Sequence, residues 1–217
     1  MKRLFSEFLG TYALVFAGTG AIVVDSLSDG AITHAGIAIT FGLIVLAMIS
    51  AFGDVSGAHF NPAVSVAFCA AGRLAPRDLA PYIAAQCAGA LAASLSLRAI
   101  FPTSATLGAT VPAGSAGQSF VLELILTAIL MLVILAVSSG PKEKGITAGI
   151  AIGSTVALEA MFAGPISGAS MNPARSLAPA VVSGQFAHLW VYLAAPVAGA
   201  LLAIPLARAT VLAPRQG

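Results

Sequence analysis

Two stretches of the chain place backbone and amide donors where a membrane would otherwise offer none. Residues 167–176 read SGASMNPARS and residues 56–65 read SGAHFNPAVS, so one triplet occurs twice, as Asn61, Pro62 and Ala63 and again as Asn172, Pro173 and Ala174. Asn is a favoured N-cap, and Pro suits the first helical position because its missing N–H would have no helical partner there. Each triplet therefore predicts a helix start. The first N–H groups of a helix lack intrahelical acceptors and carry about half a positive charge. Asn61 and Asn172 would turn their amide N–H2 groups into a lumen, where water or a hydroxyl accepts them. A cation would meet two positive dipole ends instead, an electrostatic barrier. One copy alone would read as an ordinary helix start in a loop; two copies in inverted halves favour a pore.

Three further ionisable residues sit in apolar surroundings. Arg175 follows Asn172 by three residues. An intramembrane Arg is costly and should face a wet cavity or a partner. Glu7 and Glu123 occupy matching places in the two halves. They read either as a proton relay of a coupled transporter or as buried acceptors that tie down backbone N–H groups of the two Asn-Pro loops.

The elements that must carry these groups follow from length and hydropathy. The chain has 217 residues, 59% hydrophobic and 8% charged, where soluble domains carry about a quarter charged residues. It is an all-α integral membrane protein by this measure, and a net charge of +2 without a basic cluster argues against nucleic acid. The apolar runs Ala63–Ala71 and Ala174–Val182 are about ten residues each, roughly 15 Å of helix and half a bilayer core. They read as re-entrant half-helices. Six other runs are long enough to cross: Leu4–Val24, Thr33–Phe52, Pro81–Ile100, Ser119–Val137, Gly145–Gly164 and His188–Arg208. Glu7 interrupts the first apolar run, so a retained span fits better there than a signal peptide. Cys69 and Cys87 lie in apolar segments and read as buried free thiols.

Threading six spans places Lys2, Arg3, Arg73, Arg77, Lys142, Lys144, Arg208 and Arg215 on one side, which puts both termini in the cytoplasm. Arg98, near the far end of the third span, is the basic residue that fits poorly. The halves repeat, about 4–101 and 119–211 within a single domain 1–217. Ala35–Ile39 matches Ala148–Ile152, and Tyr82 with Ala88–Leu91 matches Tyr192 with Ala198–Leu201. Three spans per half force the second half to enter from the opposite side, an inverted repeat with its site at the midplane. Neither a nucleophile–base set, a metal cluster nor a phosphate loop is present in the sequence, so no enzyme, metal or cofactor is expected.

With these motifs in hand, the chain resembles the aquaporin (major intrinsic protein) family from Glu7 to about Leu206. The wording around the triplets, from Gly57 to Val64 and from Phe162 to Ser176, is most similar to the plant nodulin-type branch and its bacterial relatives. The resemblance implies an hourglass fold of six spanning helices and two half-helices, one pore per protomer and a homotetramer. It implies water, glycerol and uncharged metalloid acids as solutes, and suggests a bacterial inner membrane. It places Arg175 at an outer constriction with Phe41, Ala160 and Ala169. Narrow water-selective relatives carry His at the place of Ala160, so a methyl there implies a wider mouth. Ser176 stands where glycerol facilitators often carry Asp. Together with their symmetry, the resemblance favours the loop-anchoring reading of Glu7 and Glu123.

For the remaining polar residues, Glu159 is read as lining a crevice, binding across a tetramer or being protonated. Asp54 is expected as a solvated charge at the cytoplasmic mouth; His59 beside it reads either as shaping or gating that mouth or, by preference, as a structural His bonded within its loop. His34 and His188 are expected at the interface, with Trp190 and Tyr192 as belt residues. The alternative class is a proton-coupled secondary transporter of a small neutral solute; a purely adhesive junction protein would show no flux.

Overall fold

The computed structural model describes residues 1–138 and 146–211. Lys142, Lys144, Arg215 and the short 140–145 connection lie outside the described residues. Eight helices follow one another: α1 (Lys2–Leu27), α2 (Thr33–Ser56), α3 (Pro62–Ala70), α4 (Pro76–Ile100), α5 (Ala116–Val137), α6 (Ile146–Ser167), α7 (Pro173–Ser183) and α8 (Leu189–Thr210). All but α3 and α7 are long and apolar enough to span a membrane.

Several boundaries differ from the sequence expectation for physical reasons. The third span starts at Pro76, not Pro81, because Pro76 takes the first helical position. Pro81 then lies inside the helix, in its second turn, where it removes the donor that the Arg77 carbonyl would otherwise meet. The fourth span starts earlier as well, because the Ser115 hydroxyl caps it by accepting from the Gln118 N–H at 3.1 Å. The fifth span runs three residues past Gly164, through Pro165.

Helix contacts map onto themselves when α1–α4 exchange with α5–α8. α1 packs on α2 and α4, α5 packs on α6 and α8, α3 touches α8 while α7 touches α4, and α2–α6 and α3–α7 are the two self-paired contacts. Small residues permit the close crossings that lipid favours. A methyl added at Gly89 would lie 2.2 Å from the Phe8 carbonyl oxygen, and one at Gly199 would lie 2.2 Å from the Leu124 carbonyl oxygen. The outward faces are apolar, with Leu43, Leu95, Val121 and Leu158 exposed on the single chain.

Candidate solute pore

The two Asn-Pro pairs start helices in the manner their residue types require. Asn61 has extended φ/ψ and its side-chain oxygen accepts from the Ala63 N–H at 2.9 Å. Asn172 accepts from the Ala174 N–H at 3.0 Å and the Arg175 N–H at 3.4 Å. The amides do something the sequence did not predict. One N–H of Asn61 donates to the Met171 carbonyl at 2.7 Å, and one of Asn172 donates to the Phe60 carbonyl at 2.9 Å. Each loop is thus tied to the other half, and each amide keeps a second N–H for the cavity that both residues line.

The backbone leading into each half-helix is strained in the same way. Ala58 and Phe60 have φ of 50° and 49°, and Ala169 and Met171 have φ of 41° and 52°. Left-handed conformations at residues with a Cβ cost on the order of 1–3 kcal/mol each and persist only where surroundings over-determine them. Two buried carboxylates supply that determination. Glu7 accepts from the His59 N–H at 3.0 Å, the Phe60 N–H at 2.7 Å and the Gln86 amide at 2.8 Å. Glu123 accepts from the Ser170 and Met171 N–H groups and the Ser167 hydroxyl, each at 2.8 Å. Both carboxylates are fully buried and absent from the cavity wall.

The cavity has a volume of about 530 Å³ and runs from Arg3, Asp54 and Arg73 at one end to Arg175 at the other. Phe41, Ala160, Ala169 and Arg175, which come from α2, α6, the loop before α7 and α7, all face it. The Arg175 guanidinium donates to the Gly108 carbonyl at 2.8 Å and lies 5.0 Å from the centre of the Phe41 ring. One carbonyl occupies one of five guanidinium donors, and the ring face offers a cation–π contact. The buried Nε has no hydrogen-bond partner. At the other end His59 lines the cavity, with Nδ1 2.9 Å from the Ser65 hydroxyl and its ring stacked on Phe68 at 4.6 Å. Asp54 is exposed there.

Other residues fall differently from expectation. Tyr192 is fully buried, so of the two expected belt residues Trp190, exposed and stacked on Phe120, alone keeps that place. Arg98 donates to the carbonyls of Pro102 at 3.3 Å and Ser104 at 2.7 Å, which gives the misplaced charge a use in ending α4. Ser176 is buried and bridges the hydroxyls of Ser170 at 2.5 Å and Thr110 at 2.8 Å, so it acts behind the pore wall. Glu159 is buried inside the single chain, neither carboxylate oxygen has a hydrogen-bond partner, and it does not line the cavity. Cys69 and Cys87 are free thiols. The strained loop positions were invisible in sequence, because Ala, Phe and Met carry no mark of left-handed backbone.

Comparison with known proteins places this geometry. Residues 1–206 match the family described as Major intrinsic protein. The chain belongs to the major intrinsic protein family. It is 46% identical over 202 residues to "Aquaporin NIP1-1" of Zea mays, covering 93% of this chain and 72% of that protein. It is 48% identical over 201 residues to "Aquaporin NIP1-4" of Oryza sativa subsp. japonica, covering 92% and 73%. Among solved structures, the X-ray structure of the aquaglyceroporin from Plasmodium falciparum superimposes with a TM-score of 0.85 at 25% identity, covering 94% of each chain. Membership makes the protein a multi-pass membrane channel for water or small solutes; members of this family are passive channels and not enzymes.

Proposed function

We propose that the channel passes water and small uncharged solutes, among them glycerol, urea and acids of the arsenous or boric type, and excludes protons and ions. The observation that carries this reading is the make-up of one cross-section: a guanidinium braced by Gly108 and Phe41 faces the same cavity as the methyls of Ala160 and Ala169. The charge and its free donors bind a polar solute and repel cations. The methyls leave room and an apolar wall for a carbon backbone or a bulky neutral acid. At the midplane the half-helix N-termini and the second N–H of each Asn favour lone pairs over positive charge. The relatives, aquaporins and an aquaglyceroporin by name, agree with water and glycerol as cargo.

The coupled-transporter alternative gains nothing from Glu7 and Glu123, whose oxygens are spent on the loops and lie outside the cavity. We also take the protein as one domain over 1–217, a homotetramer with one pore per protomer, with both termini cytoplasmic. Arg3 and Arg73 at one cavity mouth, with Asp25 in the last turn of α1 and Asp29 between α1 and α2, support that orientation. The two NIP relatives named above are plant proteins, so a bacterial inner membrane rests on sequence wording alone.

Light-scattering uptake in proteoliposomes tests the constriction. Ala160→His should cut glycerol and arsenite uptake by roughly tenfold or more while water falls far less, the discrimination expected when a pocket loses the room for a few heavy atoms. Equal loss of both solutes would remove Ala160 from the constriction. A proton current accompanying water flux would overturn ion exclusion.

A further inference from the structure

α6 contains Pro165 two residues before its end. Pro has no N–H, so the carbonyl four residues earlier, that of Met161, loses its helical donor. In a spanning helix an orphan carbonyl is costly unless a neighbouring group or water satisfies it. That group is the His34 ring in the first turn of α2, whose Nε2 lies 2.7 Å from the Met161 oxygen. A carbonyl only accepts, so the Nε2–H form makes this bond. Room for the ring comes from Gly164, where a Cβ would lie 2.7 Å from His34 Cε1.

This one bond joins the two helices that line the mouth. Phe41 follows His34 by seven residues, two turns along the same face of α2. Met161 directly follows Ala160. On the far side of those two lining residues the same helices touch backbone to backbone, since a methyl at Gly42 or Gly153 would lie 2.5 Å from the other's carbonyl oxygen. The α2–α6 gap is therefore held by this bond on one side of Phe41 and Ala160 and by close backbone packing, from Gly42 and Gly153 onward, on the other.

We propose that His34 is a specificity-determining positioning residue, whose Nε2–H holds the outer part of α6 against α2 and so fixes the separation of Phe41 and Ala160. The inference rests on the constriction reading above. Without the bond, the Met161 carbonyl turns to water and the outer part of α6 relaxes away from α2. The wider mouth admits glycerol more than it speeds water.

The test compares glycerol and water uptake in proteoliposomes of the full chain. His34→Ala should raise the glycerol-to-water ratio by about threefold, the size expected for one lost hydrogen bond. His34→Gln, which keeps an N–H donor, should hold the ratio near that of the unsubstituted protein. Pro165→Ala restores a helical donor to Met161, so adding His34→Ala in that background should change the ratio little. An unchanged ratio in His34→Ala, or an equal change with and without Pro165→Ala, overturns the proposal. Should His34→Ala alone fail to fold, the double variant decides: recovery of a folded protein with the native ratio supports the clamp, and continued failure makes the ring mere packing and overturns it. A selective effect of Ala160→His alongside an unchanged His34→Ala ratio sinks this inference alone, whereas a non-selective Ala160→His sinks the constriction itself.

Discussion

The two halves build the same device with different side chains. In the first, α3 starts at Asn61 and presents Val64 three residues on; in the second, α7 starts at Asn172 and presents Arg175 at that place. Both loops are left-handed at a Gly and two non-glycine positions before the Asn, both are bound by a buried Glu, and both send an Asn amide across to the other half. What is common to both halves holds the backbone; what differs is what a solute meets. The second half adds the guanidinium, and its long helix α6 adds a buried, unpartnered Glu159, whereas α2 carries no carboxylate before Asp54. Symmetry thus serves the scaffold, and selectivity comes from departures from it.

Substitutions can test that division. The largest effect should come from the shared anchors. Glu123→Ala orphans two N–H groups and a hydroxyl, and Glu7→Ala orphans two backbone N–H groups and one N–H of the Gln86 amide, whose other bond goes to Ser65. At about 1–3 kcal/mol for each buried donor left unpaired, either change should cost roughly 3 kcal/mol or more. Thermal unfolding in detergent should show similar losses for both; a mild effect in one half would break the equivalence. Next come Gly89→Ala and Gly199→Ala, each of which pushes a methyl onto a backbone carbonyl that cannot turn aside as a side chain would. Overpacking of this kind costs about 1–3 kcal/mol, and we expect the upper end in both halves.

Smaller effects should follow from the departures. Arg175→Val gives the second half the residue type of the first and should leave folding nearly intact while proton or cation leak rises roughly tenfold, since one charge at about 4 Å contributes at least about 1 kcal/mol even in a watery lane. A leak-free Arg175→Val would assign ion exclusion wholly to the shared half-helix ends. Least in size, Glu159→Met should raise stability by about 1–2 kcal/mol, because burying a carboxyl without a hydrogen bond costs more than burying a thioether of similar length. A loss of stability would show that the carboxyl has a partner, such as a bound water, that Met cannot replace.

Much of this was legible in the chain by itself. Six long apolar runs, two short ones and a repeated Asn-Pro-Ala determined the eight-helix inverted fold, because span length is set by the bilayer and helix starts by local backbone chemistry. The same repeat singled out Asn61, Asn172, Glu7, Glu123 and Arg175, since charges and caps inside apolar runs are rare enough to stand out. Only the tertiary structure decided what those groups bind. That Asn61 reaches Met171, that Glu7 holds the His59 and Phe60 N–H groups, that Tyr192 turns inward and that His34 answers Pro165 all join residues from 52 to 127 positions apart or from opposite faces of packed helices. Helical periodicity and capping act over a few residues, so no local signal could carry those pairings. They exist because the two halves, folded against each other, bring orphaned donors and acceptors within reach of one another.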